Sequence, residues 1–495
     1  MGPGISQATG GDDQAAAAPA EGGRPRSRAR RLAGAAALLV LIAVSIIVGA
    51  WEAQPIEHAA GVASGGLAAP RQALADAPAA PLNIPPPADP ELTGSSQRSL
   101  AAAANNAARE LAGSGDRSVV SVQPSTGLWT RRYRPRGMGS DWRAPQWWQS
   151  ALALTTLIRY LQESRNSQPA YQQVITRAYQ LNINLPGTLE PHDFINEFMD
   201  DTAWWGIAWA DAARYELTVR DDPVTARRYL ALAETEARYI YARPRPCHTQ
   251  GIEWQADYPP DTITNEEFVA LAAQLARLRQ APGPLYNTGR ADGWLADADQ
   301  ILSWLEHSGL VNMTAGTVRD HYNGRCQVAG GAITYTQGEM AEALIQMGLA
   351  TGDTAYYGQA AVFLNRTLTP SLGSLGDGVL QQPCEADAGM CVDEGHGYDA
   401  ASYKGLFVAA VADWTQATGA VSYDTFLLAQ GRAVIANAAS DGVRPTHCQT
   451  PHACQLDFYW ARRVTPTQLP VQLTPGSQES GLAALTGALV AARGS

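Results

Sequence analysis

The 495-residue sequence has few charged residues, few phenylalanines and few cysteines. Charged side chains make up 17% of it, below the roughly 25% of typical globular proteins, which argues against a disordered chain or a salt-bridged coiled coil. The formal net charge is −11 and no basic stripe lies beyond the extreme N-terminus, so we expect no nucleic-acid partner. Tryptophan is abundant, with 13 residues against 7 phenylalanines, which indicates either a tryptophan-rich core or a flat surface on which sugar rings stack.

Long apolar runs are also missing, except for one near the N-terminus. Residues 32–51 contain a single polar residue, Ser45, and a helix of this length would cross a bilayer. Five arginines between residues 24 and 31 precede the run, so the positive-inside rule predicts a cytoplasmic tail at residues 1–31 and an exported body. We interpret residues 32–51 as a signal anchor in the cytoplasmic membrane. A signal peptide cleaved near residue 50 is the alternative, and it also exports the protein.

The stretch that follows, residues 52–95, is rich in alanine and proline. Such a composition cannot bury a core and predicts an extended, disordered linker. The folded domain then occupies residues 96–495.

All six cysteines lie in this domain. An even number in an exported protein predicts disulfide bonds, although six cysteines allow many pairings. Short spacing favours two local pairs, Cys384 with Cys391 and Cys448 with Cys454. Cys247 and Cys326 are then left to form the third pair.

Two short segments raise the alternative of a metal site. Residues 447–454 contain two histidines and two cysteines, but their spacing is too short and irregular for the usual zinc motifs. Residues 393–399 are acidic and glycine-rich, but they do not match the EF-hand spacing. We therefore predict neither a metal nor a cofactor.

The pattern from Ser96 onward is helical, with long loops after every second helix. This alternation predicts an all-α fold, an (α/α)6 barrel of six helical hairpins whose long loops gather at one end. A helical solenoid is the alternative, but no repeat of fixed period is found. The twelve predicted helices are residues 97–113, 147–163, 168–180, 201–217, 223–240, 264–279, 291–307, 336–350, 353–368, 400–417, 421–438 and 477–493.

Two adjacent carboxylates, Asp200 and Asp201, open a predicted helix that carries Trp204, Trp205 and Trp209. Aspartates at a helix start often only cap the helix. Paired carboxylates beside aromatic rings are also what glycoside hydrolysis requires, and neighbours about 3.8 Å apart at Cα suit the roughly 5–5.5 Å carboxyl separation of a retaining enzyme. The other nearby carboxylates are interpreted as solvated or helix-capping: Asp193, Glu197 and Asp211.

Residues 200–206 resemble the signature of glycoside hydrolase family 76, the endo-α-1,6-mannanases with their fungal cell-wall transglycosylase relatives. That signature is a consecutive aspartate pair followed by a helix rich in Trp-Trp. The resemblance covers about residues 97–494, and Thr336 and Tyr403 depart from the Asn and Phe that the family usually has. Weaker matches follow in family order at residues 147–148, 251–254, 262–268, 318–320, 335–338 and 399–405.

The resemblance implies roles for particular residues. Asp200 would be the nucleophile and Asp201 the general acid/base of a double displacement that retains the α configuration. Asp320 would bind sugar hydroxyls in the cleft. The same resemblance implies further substrate-binding residues along the cleft: Trp148, Trp204, Trp205, Tyr335 and Gln337.

The leading prediction is a retaining endo-acting α-1,6-mannosidase, a monomer held at the membrane with its catalytic domain outside. Its substrate would be α-1,6-mannan or mannooligosaccharides. A transglycosylase on the same scaffold is one alternative, and hydrolysis and transfer differ in how the cleft excludes water. A non-catalytic carbohydrate-binding protein is another, although the presence of both aspartates argues against it.

Overall fold

The computed structural model describes residues 97–494 with internal gaps. The predicted tail, anchor and linker, the Cys384–Cys391 pair and most of the acidic loop before Asp399 lie outside the described residues. No helix within the described part of the chain is long and apolar enough to cross a membrane. The gaps are residues 114–119, 134–140, 143–146, 184–192, 370–374, 377, 383–384, 386–398, 441–443 and 462–472.

The described residues form twelve α-helices, and their bounds lie within about three residues of the predicted ones. The prediction of a mostly helical domain is confirmed. In chain order the helices are α1 Gln97–Leu111, α2 Trp147–Ser164, α3 Pro169–Asn182, α4 Met199–Tyr215, α5 Pro223–Tyr241, α6 Thr262–Gln280, α7 Thr288–His307, α8 Thr334–Thr351, α9 Ala355–Thr367, α10 Ala400–Thr418, α11 Asp424–Asn437 and α12 Pro475–Gly494.

Alternate helices form a closed inner ring. Helices α2, α4, α6, α8, α10 and α12 each pack against the next, and α12 packs back against α2. The helices between them lie outside: α5 packs on α4, α7 on α6, α9 on α8, and both α11 and α1 on α12. Tyr179 of α3 packs edge-on against Trp209 of α4. This arrangement of helical hairpins is an α/α barrel.

The inner helices are buried on nearly all sides. Every residue from 262 to 276 on α6 is buried, because the helix is covered by outer helices on one side and by the barrel interior on the other. This explains why the inner helices have little polar face in the sequence, as expected for helices enclosed in a core.

Short antiparallel strands occur in the segments between helices, where the sequence pattern predicted none. They are two to five residues long, too short to show a detectable alternation. They are β1 Val120–Val122, β2 Trp129–Tyr133, β3 Asp141–Trp142, β4 Val311–Asn312, β5 Thr317–Val318, β6 His321–Tyr322, β7 Val328–Ala329, β8 Leu375–Gly376, β9 Val379–Leu380, β10 Ala439–Ser440 and β11 Arg444–Pro445.

A cluster of charged side chains joins four inner helices. It lies beside a cavity of about 260 Å³. Arg159 of α2 contacts Asp211 of α4 at 2.9 Å, Glu342 of α8 at 3.3 Å and Asp413 of α10 at 3.1 Å. The interpretation of Asp211 as solvated or capping is wrong. The Asp211 side chain is buried and also binds Arg214. Burial alone would raise the pKa of Asp211, but Arg159 and Arg214 hold this pKa below its usual range.

We expect Arg159→Met to lower the free energy of unfolding by about 3–5 kcal/mol, because it removes the cation that Asp211, Glu342 and Asp413 share inside the ring. A carboxyl whose pKa is lower in the folded than in the unfolded state stabilises the fold at pH values above its unfolded pKa, and this stabilisation is lost as the pH falls. Because the pKa of Asp211 is lowered in this way, the loss of stability caused by Arg159→Met should be larger at pH 7 than at pH 4. Urea denaturation at both pH values measures this. Arg238→Met is the control, because Arg238 is half exposed and 3.9 Å from Glu234, and it should cost less than about 1 kcal/mol. Equal losses for both variants would contradict the prediction.

Candidate active site

The N-terminal ends of the inner helices and the segments before them enclose a cavity of about 820 Å³. No lysine or arginine belongs to the described part of its lining, and His321 is the one basic side chain there. The wall is acidic and aromatic, formed by Asp200, Asp201, Asp261, Asp320 and Asp399 with Trp148, Phe198, Trp204, Trp254, Tyr258, Tyr322, Tyr335 and Tyr403.

The aspartate pair lies in the first turn of α4, after Phe198 at the N-cap position, whose side chain makes no capping bond. The backbone N–H of Met199 donates to the carbonyl of Trp254 at 2.8 Å, which fixes the start of the helix against the neighbouring loop. The two aspartates therefore do not occupy the N-cap position.

Asp200 accepts hydrogen bonds at both carboxyl oxygens. The Asp201 backbone N–H donates to Oδ1 at 2.9 Å, and the indole N–H of Trp254 donates to Oδ2 at 3.1 Å. Burial raises the pKa of Asp200 to about 6, against the opposing effect of these donors. The donors favour the ionised form of this carboxyl.

Asp201 accepts a hydrogen bond from the Asn196 side-chain amide, which contacts its Oδ2 at 2.6 Å. Burial, and then the charge of Asp200, raise the pKa of Asp201 well above its usual range. The two adjacent carboxyls thus lie in unequal surroundings, and Asp201 holds its proton more strongly than Asp200 does. This is the division that an acid and a nucleophile need.

The loop that carries Asn196 is held by a strained turn. Asp193 and Phe194 have positive φ values of 84° and 68°, which is costly for residues with a side chain. Phe194 is buried, with its ring 4.6 Å from Trp205 and 4.9 Å from Trp209. This aromatic packing stabilises the turn that brings Asn196 to Asp201.

Two stacked tyrosines form another part of the wall. The rings of Tyr335 and Tyr403 lie 4.3 Å apart and nearly parallel. Lys404, the next residue, is fully buried, 2.6 Å from Glu385 and 4.6 Å from the rings of Phe458 and Trp460. This buried cation fixes the rotation of α10 and hence the position of Tyr403.

The structure places most of the sequence-predicted site residues on this one cavity: Asp200, Asp201, Asp320, Trp148, Trp204 and Tyr335. The expectation that Trp205 and Gln337 line it is wrong. Trp205 is fully buried between Trp147 and Trp209. The Gln337 amide donates to the Gly316 carbonyl at 2.7 Å and accepts from the Val318 N–H at 2.7 Å, so it holds the β4–β5 turn.

Sequence reasoning missed several residues of the site. Trp254 and Asp399 lie in segments that resemble the family, but they received no role. Asp261 follows two prolines and caps α6 by accepting from the Thr264 N–H. The sequence pattern places the start of this helix at residue 264, which hides the capping role of Asp261. Burial, and then Asp200, raise the pKa of Asp261 well above its usual range. Asn196 has no signal of its own in the sequence.

Two of the predicted disulfides are confirmed. Cys247 is bonded to Cys326 and Cys448 to Cys454, and none of the described cysteines is free. The first bond joins the segment before Trp254 to the β6–β7 hairpin that carries His321. Trp254 and the hairpin both line the cavity.

We expect the Cys247→Ser/Cys326→Ser variant to lose more stability than Cys448→Ser/Cys454→Ser. The sequence separations are 79 and 6 residues, for which loop-closure entropy gives about 4.5 and about 2.4 kcal/mol. Thermal unfolding of both variants measures the difference, and the first should also raise KM because it loosens the cavity-lining hairpin and the segment that leads to Trp254. Equal melting temperatures, with KM unchanged in both variants, would contradict this expectation.

Comparisons with known proteins agree with the geometry. A sequence model described as glycosyl hydrolase family 76 matches residues 116–491. No curated protein sequence matches the chain. Among solved structures, an α-1,6-mannanase of Salegentibacter sp. is similar at 19% identity and a TM-score of 0.59, over 79% of this chain and 99% of that one.

Two related structures add to this. An inactive variant of the Salegentibacter enzyme, with two consecutive aspartates replaced, was solved in complex with α-1,6-mannotriose (18% identity, TM-score 0.59, 79% of this chain and 99% of that one). Dfg5 of Chaetomium thermophilum, in complex with glucosamine, is similar at 22% identity and a TM-score of 0.58, over 80% of this chain and 91% of that one. At these identities the likeness shows a shared fold.

Proposed function

The chain belongs to glycosyl hydrolase family 76, and we propose that it is a retaining endo-acting α-1,6-mannosidase that hydrolyses α-1,6-linked mannan backbones by double displacement. The observation that carries the proposal is the unequal pair of partly buried carboxyls on α4. Asp200 is held by donors that favour its ionised form, whereas Asp201 retains its proton beside it. Both line a cavity large enough for sugar rings.

In the first step, the Asp200 carboxylate attacks the anomeric carbon and the bond from that carbon to the bridging oxygen breaks. Asp201 gives its proton to the leaving oxygen, which departs as a sugar hydroxyl. In the second step, Asp201 takes a proton from water, whose oxygen attacks the anomeric carbon and releases Asp200. Two inversions retain the α configuration, and the protein ends in its starting protonation state.

The lining of the cavity supports a neutral substrate. Its described residues include five aspartates and no lysine or arginine, so a phosphorylated or carboxylated polymer would be repelled. Aromatic side chains such as Trp148 and the half-exposed Tyr258 offer faces on which sugar rings can pack. The structural relatives solved with α-1,6-mannotriose and α-1,6-mannotetrose support mannose as the repeating sugar and a cleft that takes several units.

The test is a digest of linear α-1,6-mannan with product sizing, with and without a mannooligosaccharide acceptor. Internal cuts that give short oligomers, with the α anomer formed first in NMR spectra, support the retaining hydrolase. Products longer than the acceptor would indicate a transglycosylase, which shares the first step but passes the glycosyl group to a sugar. An unchanged polymer would indicate a non-catalytic carbohydrate-binding protein.

We further propose that the domain works outside the cytoplasmic membrane, tethered through residues 32–51. Support comes from the sequence of that segment and from the two disulfide bonds, which persist in oxidising compartments. Protease added to intact spheroplasts should degrade the domain, and alkaline washing should leave it with the membranes. Release with a new N-terminus near residue 50 would identify a cleaved signal peptide, and protection from protease would contradict export.

We expect kcat/KM on α-1,6-mannan to fall about tenfold for each pH unit below about 6, because Asp200 must be ionised to attack and its pKa is raised to about 6. The measured value belongs to the coupled pair. Trp254→Phe removes the indole N–H that lowers this pKa, so it should move the acid limb to higher pH. Asp292→Ala, at an exposed site on α7, is the control. An acid limb near pH 4 in the unsubstituted enzyme would contradict the expectation.

A further inference from the structure

The segment that carries Asp320 lies along the start of α6 and is fixed there by its backbone. The N–H of Thr262 donates to the Asp320 carbonyl at 2.9 Å, and the N–H of Tyr322 donates to the Pro260 carbonyl at 3.0 Å. Asp261 and His321 form an isolated antiparallel bridge in the same stretch. These bonds fix the main chain, but they leave the side-chain torsions of Asp320 free.

The Asp320 carboxyl is itself held by its neighbour in sequence. His321 Nδ1 lies 2.8 Å from Asp320 Oδ2, and since a carboxylate can only accept, the imidazole donates from Nδ1. Both side chains line the cavity and both are partly exposed, 28% for Asp320 and 43% for His321. Because Oδ2 is engaged by the imidazole, Oδ1 is the oxygen left for a ligand.

Gly330, which follows β7 and has φ of 69°, lies against the side chain of Asp320. A Cβ at this position would lie 2.3 Å from the Asp320 Cβ, so the hairpin packs directly against the aspartate. The Asp320 side chain therefore packs against Gly330 and is also held by the His321 ring. Among the described cavity-lining residues no other is basic, so none of these can replace His321 as a cationic or imidazole partner of Asp320.

We propose that His321 is a positioning residue for substrate, holding the Asp320 carboxylate so that Oδ1 accepts hydrogen bonds from the hydroxyls of one mannosyl unit. The inference rests on the proposed function and adds a determinant of affinity to it. An unheld aspartate would sample several rotamers, and the substrate would have to order it on binding. His321 thus acts on binding through Asp320, away from the bonds that break.

The test compares two substitutions of His321 by steady-state kinetics on α-1,6-mannotetraose. His321→Leu removes the donor and should raise KM about tenfold, the effect of one hydrogen bond to a charged group, with kcat within about twofold. His321→Asn should restore KM to within about threefold, because the asparagine amide nitrogen lies as far along the side chain as Nδ1. Thermal unfolding of each variant shows whether it is folded.

A double-mutant cycle identifies the route of the effect. If His321 acts through Asp320, then Asp320→Ala/His321→Leu should have the same kcat/KM as Asp320→Ala alone. Additive losses would overturn the inference, as would an unchanged KM in His321→Leu or an Asn variant as impaired as the Leu variant. Failure of the proposed function is distinguishable, because the unsubstituted enzyme would then leave α-1,6-mannan and mannotetraose uncut.

Discussion

Asp200→Ala is expected to lower kcat on α-1,6-mannan by about 10⁴-fold or more, because no glycosyl-enzyme forms without the carboxylate. The loss should be equally severe on an aryl α-mannoside with a good leaving group, since an activated leaving group does not replace a missing nucleophile. Initial rates on both substrates, with product sizing for the polymer, measure it.

The fold of this variant should be intact. Asp200 is partly buried, and the loss of solvent disfavours its charge, so the substitution removes an unfavourable charge and should leave the melting temperature equal or higher. Asp292→Ala, an exposed aspartate on α7, should keep activity within about twofold. If Asp200→Ala retains substantial activity on either substrate, Asp200 is not the nucleophile.

Small azide should act as a substitute nucleophile in Asp200→Ala. Azide fills the space of the lost carboxylate and attacks from the same face, and Asp201 can still protonate the leaving oxygen. The product is then the β-glycosyl azide, formed by a single inversion. NMR of the isolated azide distinguishes this from the α anomer.

The architecture could be predicted because helical periodicity and loop lengths are local properties. Helix α5 shows this: Asp222 accepts from the N–H groups of Val224 and Thr225, with Pro223 at the first helical position, a start signal that is fully present in the sequence. The two-residue strands could not be predicted, because β6 and β7 are defined by pairing across a turn rather than by their own composition.

Reasoning from the residues alone predicted only the consecutive part of the site, whereas Trp148, Asp320 and Tyr335 came from the resemblance to the family. Trp204 and Trp205 follow each other on α4, and neighbours on a helix point about 100° apart, so one faces the cavity and the other the core. Sequence alone does not tell which. Gln337 lies two residues from Tyr335 and points away from the cavity for the same reason.

The site residues that could not be predicted come from separate loops that meet only in the folded structure. Trp254 reaches Asp200 from a loop 54 positions away, and Asn196 is brought to Asp201 by the strained turn at Asp193 and Phe194. Neither contact leaves a pattern in the chain, because each depends on how a loop folds over the helix. The abundance of tryptophan was equally ambiguous, since Trp204 and Trp254 line the cavity whereas Trp129, Trp205 and Trp209 are core residues.

Asp201→Ala should separate the two steps of the reaction. On mannan, whose leaving group needs protonation, kcat should fall by about 10²–10⁴-fold, the usual contribution of a general acid. On an aryl α-mannoside with a nitrophenolate leaving group, the first step should survive, because that leaving group departs without a proton. The glycosyl-enzyme should then accumulate, because no base activates water for the second step. A burst of nitrophenolate and the mass of the modified protein measure it.

Azide should release this trapped intermediate. As an anion it needs no general base, so it should raise turnover of the aryl substrate by Asp201→Ala at least tenfold, roughly the smallest contribution expected of a base. It attacks the glycosyl-enzyme from the face opposite Asp200, and two inversions give the α-glycosyl azide. Azide should not rescue hydrolysis of mannan, where the first step is blocked. An α azide from Asp200→Ala with a β azide from Asp201→Ala would show that the two roles are exchanged, because the anomer formed records which carboxylate remained to act as nucleophile.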